Sequence, residues 1–248
     1  MKKINLIPII AISVSLFFTS CIMSKETIKG NGELTTKSIS ILEFSEIEIG
    51  TFVELNYSQA PNTGNIEFTV DDNLWEYYNI YTKDNVLHIK LKDEYEKLFR
   101  LSPTKSLLTV FSEQLESVAI AGNSALNFCT DFTSQKLGIA IAGSGKVMAN
   151  QYSVAIEDFE LGIAGSGNVQ LKGNIQKAEI TIAGSGNVKA FDCETAELRI
   201  GIAGSGNVEA TVTDKLSVEI AGSGSVKYKG NPSVIETDVA GSGKVIKL

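Results

Sequence analysis

Histidine is nearly absent from this 248-residue sequence, in which His88 is the only one. The alternation around it predicts a strand that points Leu87, Ile89 and Leu91 toward a core and leaves His88 on the surface with Lys90. The sequence therefore predicts neither a His-based catalytic triad nor a metal site built from several histidines.

Clusters of basic residues are also missing. The 22 Lys and Arg residues are outnumbered by 29 Asp and Glu residues, and the formal net charge is −7. Without Lys2 and Lys3, which belong to an N-terminal signal described below, 20 basic residues stand against 29 acidic ones, a net charge of −9. An acidic chain repels phosphate backbones, so no nucleic-acid partner is expected.

No apolar run is long enough to cross a membrane comfortably, which takes about 20 residues. Residues 4–18 are almost wholly apolar, follow Lys2 and Lys3, and end in Phe18-Thr19-Ser20-Cys21. This junction resembles the lipobox of bacterial lipoproteins, with Phe18 in place of the usual Leu. It predicts a signal peptide over 1–20 and acylation of Cys21, which would anchor an outer membrane lipoprotein facing the periplasm or the cell surface. The alternative is an ordinary secretory signal cut near Ser20, with Cys21 free.

The sequence is rich instead in one short turn. AGSGNV occurs three times, and four variants flank these copies. The apolar residue before each turn recurs at steps of 21, 22, 19, 20, 18 and 19 residues, at Ile120, Ile141, Ile163, Ile182, Ile202, Ile220 and Val239. A period near 20 residues without a helical pattern indicates a solenoid of stacked units.

Within each unit, apolar and polar residues alternate on both sides of the turn. Before the third turn, Phe159, Leu161 and Ile163 alternate with Glu160 and Gly162. This pattern predicts a half-buried strand, a tight bend and a second strand. Identical bends must lie above one another, so the strands of successive units are parallel. Because about 20 residues leave no room for a crossover helix, the expected fold is all-β, a parallel β-helix.

The turn residues have structural interpretations. Glycine supplies the positive φ that a repeated bend requires, and the Ser and Asn residues of the turn are expected to form hydrogen-bonded ladders. An outward Ala follows the inward apolar residue in all seven turns, and this stripe is either a packing requirement of the corner or a docking surface. At about 4.8 Å per unit, Cys129 and Cys193 lie three units and roughly 14 Å apart, so both are expected to be free.

The domain organisation predicted from these patterns has three parts. They are a signal peptide over 1–20, a flexible tether over 21–37 and a single β-helix domain over 38–248. The domain has irregular N-terminal units and regular units from about residue 117.

Two aromatic and charged stretches, 71–82 and 92–106, interrupt the irregular units. Their aromatic residues either cap the end of the coil or stack against sugar rings. As candidate ligand-binding residues we select four of the first stretch: Trp75, Tyr77, Tyr78 and Tyr81. Tyr95 and Phe99 belong to the second stretch.

Nothing in the repeat supplies a reactive group. AGSGK at 142–146 lacks the spacing of a phosphate-binding loop, since Ala140 stands where Gly is needed and Val147 follows the lysine. Calcium-binding Gly-rich repeats carry an Asp in each turn, but this position holds only Lys, Asn or Ser in the six regular turns. No cofactor or metal is expected.

Outward carboxylates are the remaining catalytic possibility. Glu160, Glu179 and Arg199 occupy equivalent positions in consecutive units and should form one column. Such a column would suit the active site of a polysaccharide lyase or hydrolase. The alternative is a solvated charge ladder that keeps the sheet soluble. No constant acid runs through it, since Ser217 takes the next place.

The lipobox, the segments IEIG, VELN, VDDNL and VLHIKL, and the tandem IAGSGNV turns together resemble the putative auto-transporter adhesin, head GIN domain family. The resemblance covers about residues 38–248 and implies a right-handed parallel β-helix. It implies no shared active site. The function expected is a non-enzymatic cell-envelope lipoprotein that presents a rigid solenoid for adhesion or for binding a ligand, such as a glycan or a protein. A carbohydrate-active enzyme is the alternative.

Overall fold

The computed structural model describes residues 25–248, and the predicted signal peptide and Cys21 lie outside the described residues. Within this part of the chain the secondary structure is a 3-10 helix (Asp72–Tyr77), one turn of α-helix, α1 (Asp93–Glu96), and the strands β1 (Glu26–Lys29), β2 (Leu34–Ser40), β3 (Glu46–Ile49), β4 (Glu54–Gln59), β5 (Asn65–Asp71), β6 (Tyr78–Lys83), β7 (Val86–Leu91), β8 (Phe99–Ser102), β9 (Ser106–Ser112), β10 (Ser117–Gly122), β11 (Ala125–Phe128), β12 (Phe132–Gly143), β13 (Lys146–Gly165), β14 (Asn168–Gly184), β15 (Asn187–Gly204), β16 (Asn207–Gly222), β17 (Ser225–Lys229), β18 (Val234–Gly241) and β19 (Lys244–Lys247). In this region no helix is long and apolar enough to span a bilayer.

The predicted parallel β-solenoid is confirmed, with successive turns of about 20 residues stacked in register. For example, β13 pairs with β14 through three parallel segments, which join 146–149 to 168–171, 154–156 to 173–175 and 158–165 to 177–184. Each turn of the solenoid therefore has three sides. We call the side that ends at the glycine corner the first side and the one that follows the corner the second side.

The inward residues of the first side form the column that the sequence predicted. Ile49, Ile120, Ile141 and Ile163 pair in register, and Ile182, Ile202, Ile220 and Val239 continue the column. All are buried except Val239, which is 38% exposed in the last turn. The burial of one apolar side chain in every turn makes the column the continuous centre of the core.

Both glycines of each regular corner, from Gly143 onward, are required by close packing. At Gly184 φ is +128°, and an added Cβ would lie 3.1 Å from the carbonyl carbon of Gly165, the equivalent residue one turn away. At Gly186 an added Cβ would lie 2.8 Å from Cγ2 of Ile163. The first glycine thus permits the bend and the close approach of two backbones, and the second leaves room for the isoleucine column.

Hydrogen bonds continue through the corners. The Ser185 N–H donates to the Gly165 carbonyl at 2.7 Å, and the neighbouring turns repeat this bond. The expected asparagine ladder is present, since the Asn187 amide donates to Asn168 at 3.3 Å and the Asn207 amide donates to Asn187 at 3.0 Å. Among the described serines of this turn, a side-chain rung joins only Ser223 and Ser242, at 3.0 Å.

The irregular N-terminal part follows a different chain order from the regular turns. β3 pairs in parallel with both β7 and β10, and β4 pairs in parallel with both β9 and β11. The chain therefore builds the β3–β4 turn first and moves outward to build β7 and β9. It then returns past the β3–β4 turn to build β10 and β11 on the other side of it. Antiparallel strands extend this end, with β6 on β7, β5 on β9 and β2 on β5.

The prediction of a flexible tether over 21–37 is wrong for residues 26–29 and 34–37, which lie in strands. β1 pairs with β8, and β2 pairs along its whole length with β5. Weak apolar periodicity misled the prediction, because β2 is an edge strand with mostly exposed side chains and is held by backbone hydrogen bonds to β5.

The two cysteines of the described chain are free, as predicted. Cys193 is fully buried in the core, and burial raises the pKa of its thiol to about 12. Cys129 is only partly buried.

Candidate functional site

The two aromatic interruptions come together at the N-terminal end of the solenoid. The 3-10 helix buries Leu74 against the core, and Phe68 of β5 packs against Trp75 and Tyr78. The second interruption forms α1 and β8, and β8 pairs with β1. We refer to residues 72–83 and 93–102 as the aromatic cap.

The cap is anchored by Asp71, which is fully buried at the end of β5. Its carboxylate accepts hydrogen bonds from the Gly32 N–H at 2.8 Å, the Thr104 N–H at 2.8 Å and the Thr104 hydroxyl at 2.6 Å. Burial by itself raises the pKa of Asp71, but hydrogen bonds from Thr104, Gly32 and Lys105 outweigh it, and the net pKa lies below its ordinary value. Gly30 lies so close that an added Cβ would overlap this carboxyl group.

Tyr78 is a core residue, which corrects its selection as a ligand-binding residue. It is 7% exposed, and its ring packs edge-on against Phe68 with centroids 4.8 Å apart. Its hydroxyl lies 3.2 Å from the Phe52 carbonyl oxygen and 3.3 Å from the Ser106 hydroxyl. Burial raises the pKa of Tyr78 to about 12. A ligand could not reach this ring without opening the cap.

Trp75 is half-buried, and its ring is engaged by neighbouring side chains. Phe68 lies 5.5 Å away between ring centroids, and the Lys37 amino group sits 4.5 Å over the indole ring. The cation–π contact with Lys37 links β2 to the cap. These contacts favour the interpretation of Trp75 as part of a cap over its interpretation as a sugar-stacking residue.

Tyr81 lies on the outer face of β6, where it stacks on His88 with ring centroids 4.9 Å apart and planes at 26°. His88 Nδ1 lies 2.9 Å from a Glu48 carboxylate oxygen. The Lys90 amino group, 5.9 Å from the Tyr81 ring centroid, forms an ion pair with Asp93 at 2.7 Å. His88 points outward, as predicted, but it is half-buried because these partners make it part of a surface stack.

Tyr77 belongs to a three-ring cluster that sequence reasoning did not assemble. Its ring lies 4.8 Å from Tyr95 and 6.0 Å from Phe99, and Tyr95 and Phe99 are 6.0 Å apart. All three rings are partly exposed, and the neighbouring Glu94 and Arg100 are exposed. Repulsion from the Glu94 carboxylate and its hydrogen bond raise the pKa of Tyr95. The aromatic content of both interruptions was the signal for this cluster, but the sequence did not show that they meet.

The outward column of Glu160, Glu179 and Arg199 stacks in register as predicted. Arg199 pairs with Glu219 at 3.2 Å. Two residues earlier in each turn, a second column alternates strictly in the sign of its charge: Lys136, Asp158, Lys177, Glu197 and Lys215.

Each carboxylate of the alternating column therefore lies about 4.8 Å, one strand spacing, from a lysine position on either side. This arrangement is typical of a charge ladder between turns. Within residues 25–248, no three His, Cys, Asp or Glu side chains gather in a way that could hold a metal ion.

Comparison with known proteins places this architecture in a recognised group. The sequence profile described as "putative auto-transporter adhesin, head GIN domain" matches residues 43–232. No curated protein matches the chain. A crystal structure described as a putative lipid binding protein from Parabacteroides distasonis is 28% identical, with a TM-score of 0.77 over 90% of this chain and 100% of that one.

Two further crystal structures, both described as putative adhesins, are also similar. The one from Parabacteroides merdae is 28% identical, with a TM-score of 0.69 over 90% of this chain and 99% of that one. The one from Bacteroides fragilis is 23% identical and shares the fold, with a TM-score of 0.79 over 89% of this chain and 100% of that one.

Proposed function

This chain belongs to the putative auto-transporter adhesin, head GIN domain family, and on that premise we propose that it is a non-enzymatic lipoprotein of the cell envelope. Its rigid solenoid presents the aromatic cap to a ligand, which we propose to be a glycan. The family relationship supports an adhesin-like role at the cell envelope, whereas the glycan and the lipid anchor are our own proposals.

The observation that carries the binding proposal is the three-ring cluster of Tyr77, Tyr95 and Phe99. Aromatic rings with one polar end suit the apolar faces and hydroxyl groups of sugars, because the ring packs while the phenol hydrogen-bonds. The exposed Glu94 and Arg100 add an acceptor and a donor at the edge. These groups hold a ligand without any acid–base chemistry.

The outward columns of charged residues are poorly arranged for catalysis. General acid–base hydrolysis needs two carboxylates with different pKa values held around a bond. Here lysines stand in register beside the carboxylates of the alternating column, and Arg199 forms an ion pair with Glu219. A specific observation in favour of the enzyme alternative is lacking among the described residues.

Binding to a glycan array tests the ligand proposal. We expect the double variant Tyr77→Ala with Tyr95→Ala to lose at least about fivefold in apparent affinity, since stacking by rings of this kind contributes about 0.5–1.5 kcal/mol each beyond their buried area. The matched control is Tyr152→Ala, because Tyr152 is an exposed tyrosine on the regular solenoid.

Equal glycan binding by the double variant and by the control Tyr152→Ala would refute the aromatic site. Depolymerisation of a polysaccharide by the purified chain, abolished by Glu160→Gln or Glu179→Gln, would instead establish the enzyme alternative.

The membrane anchor is proposed from Cys21 and the apolar segment before it. Replacing Cys21 with Ala should abolish palmitate labelling and release the chain from the membrane fraction, because the acyl chains supply the attachment. Cys129→Ala is the control and should leave both unchanged. Unchanged labelling of the Cys21→Ala variant would show that the lipoprotein assignment is wrong.

A further inference from the structure

Lysines from distant parts of the sequence meet on the second side of the solenoid. Lys146 and Lys244 hold the outward position directly after the glycine corner, and Lys189 and Lys227 hold the next outward position along the strand. All four are exposed, and we call them the lysine face. Successive members are 17–43 residues apart in the chain, so the cluster forms only when the turns are stacked.

Acidic residues are nearly excluded from this side. Its strand segments in the regular turns are residues 146–149, 168–171, 187–190, 207–210, 225–228 and 244–247. Of the 13 acidic residues between 117 and 248, only Glu209 lies in these segments, in register between Lys189 and Lys227. A chain whose sequence is acidic overall therefore presents one side with a net positive charge.

The ammonium groups of the lysine face have no ionic partner within residues 25–248. Four ion pairs form in this part of the chain, and none of them includes a lysine of the face. The first side differs, because Arg199 is paired there with Glu219 and Lys215 with Glu236. An anion can therefore bind the lysine face without first breaking an ion pair.

The column that joins Lys146 to Lys244 is flat and polar. Its middle is the asparagine ladder, whose amides donate to one another at 3.3 and 3.0 Å and to serine carbonyls of the corner. Because these amides are already engaged, the lysines are the free charged donors of the strip. Lys146 and Lys244 lie five turns apart, about 24 Å at a strand spacing of about 4.8 Å. A flat strip of that length suits an extended polymer, whereas small molecules bind mainly in concave pockets.

We propose that the lysine face binds an extended acidic polysaccharide, which lies along the solenoid axis and pairs its anionic groups with the four ammonium groups. Charge complementarity selects this partner, because the face concentrates unpaired cations on a chain that is acidic elsewhere. The site is separate from the aromatic cap, which lies at the N-terminal end of the solenoid. The inference goes beyond the proposed function and does not depend on glycan binding at the cap.

Nucleic acids fit this face less well than an acidic polysaccharide does. Single strands are bound largely by aromatic side chains on which the bases stack, but no outward residue of the second-side segments defined above is aromatic. Base pairs of a duplex are read by elements that enter a groove, and a flat sheet side offers no such element. The sugar polymer needs only regularly placed cations along a strip.

Binding of the full-length chain, purified in non-ionic detergent, to immobilised polygalacturonate tests the proposal. We expect binding that weakens as salt is added, because exposed charges are screened, and no binding to dextran, an uncharged polysaccharide. Absence of binding to polygalacturonate at low salt would overturn the proposal. Tighter binding to oligothymidylate, or to phosphatidylglycerol in mixed micelles, would assign the face to another polyanion and would also overturn it.

Two double variants with the same change in net charge locate the binding side. Lys189→Gln with Lys227→Gln should lower the affinity for polygalacturonate about fivefold or more, because it removes two of the four cations that contact the polymer. The matched control is Lys136→Gln with Lys177→Gln, which removes two lysines from the alternating column of the first side and should leave the affinity nearly unchanged. Equal losses in both would mean that overall charge, not this face, controls binding, and would overturn the proposal.

The single acid of the face provides a test in the opposite direction. Glu209→Gln should raise the affinity for polygalacturonate about twofold or more, because it removes the carboxylate that stands between Lys189 and Lys227. Glu179→Gln is the matched control, since Glu179 is an exposed acid on the first side, and should change the affinity little. An unchanged or lower affinity of Glu209→Gln would contradict binding on this side.

The cap variants separate this site from the proposed ligand site. Tyr77→Ala with Tyr95→Ala should leave the affinity for polygalacturonate unchanged, because the two rings lie at the N-terminal end and not on the second side. A loss as large as that of the lysine variant would assign the polymer to the cap and would overturn the lysine face. Failure of the lysine face would leave the glycan-array result for the cap unaffected.

Discussion

Replacing Gly184 with Ala tests the physical basis of the repeated corner. At Gly184 φ is +128°, and an added Cβ would lie 3.1 Å from the Gly165 carbonyl carbon and closer still to its oxygen. The atoms that would have to move are backbone atoms within a hydrogen-bonded ladder, so local relaxation would break bonds between turns. The substitution therefore combines backbone strain with overpacking.

The size of the effect follows from these two terms. A residue held in a sparsely populated backbone region costs about 1–3 kcal/mol, and overpacking costs about 1–3 kcal/mol. The reduced entropy of the unfolded chain offsets about 0.4–1 kcal/mol. We expect the free energy of unfolding to fall by about 2–5 kcal/mol, which lowers Tm by about 4–20 °C for a chain of this size.

The assay is the loss of the β-sheet circular dichroism signal on heating, with Gly64→Ala as control. At Gly64 φ is also positive, at +75°, but an added Cβ would meet nothing within 4 Å. Only the backbone strain remains there, about 1–2 kcal/mol, so its Tm should fall less. An equal fall in both variants would refute the argument that contact between turns makes this glycine necessary.

Two other substitutions and one chemical modification probe the core and its anchor. Asp71→Asn should lower stability by about 1.5–3 kcal/mol at neutral pH, because it weakens hydrogen bonds to a charged group. Since the folded pKa of Asp71 lies below its ordinary value of 3.8, this contribution is complete above that value and is lost as the pH falls through the folded pKa. The Tm difference from wild type should therefore close below about pH 4, and a constant difference would contradict the hydrogen-bonded carboxylate. Ile182→Asp should lower the free energy of unfolding by several kcal/mol, about 3 or more, because it buries an unpaired carboxyl group. An unchanged Tm would mean that Ile182 faces solvent. In a Cys21→Ala background, a thiol reagent should modify Cys129 well before the buried Cys193, and equal rates would contradict the burial of Cys193.

The regular half of the fold could be predicted from the sequence because its interactions repeat at a fixed period. Ile163 contacts the turn before it and the turn after it, and each of those turns offers the same residue at the same place. A pattern of this kind records spatial neighbours directly in the spacing of the chain. The inward column, the glycine corners, the asparagine ladder and the free cysteines were predicted correctly for this reason.

The candidate site could be predicted only in outline. The aromatic interruptions were recognised, but Tyr78 was selected although it is buried, and Tyr95 and Phe99 were not selected although they complete the exposed cluster with Tyr77. Composition identifies an aromatic stretch, whereas the burial or exposure of each ring depends on which strands pack beneath it. Phe68 reaches Tyr78 because β5 pairs antiparallel with β9 while β6 pairs antiparallel with β7. No repeat in the sequence indicates that contact.

The sequence by itself determined the local conformation of each turn, since alternation, glycine positions and period act over a few residues or one turn of the coil. Only the tertiary structure decided how the N-terminal end is built. The return of the chain past β3 and β4 and the anchoring of residues 30–32 on Asp71 both depend on contacts between segments with unrelated sequences. Such contacts leave no period in the chain, because each is made once and is selected by shape, burial and hydrogen bonding after the strands have come together.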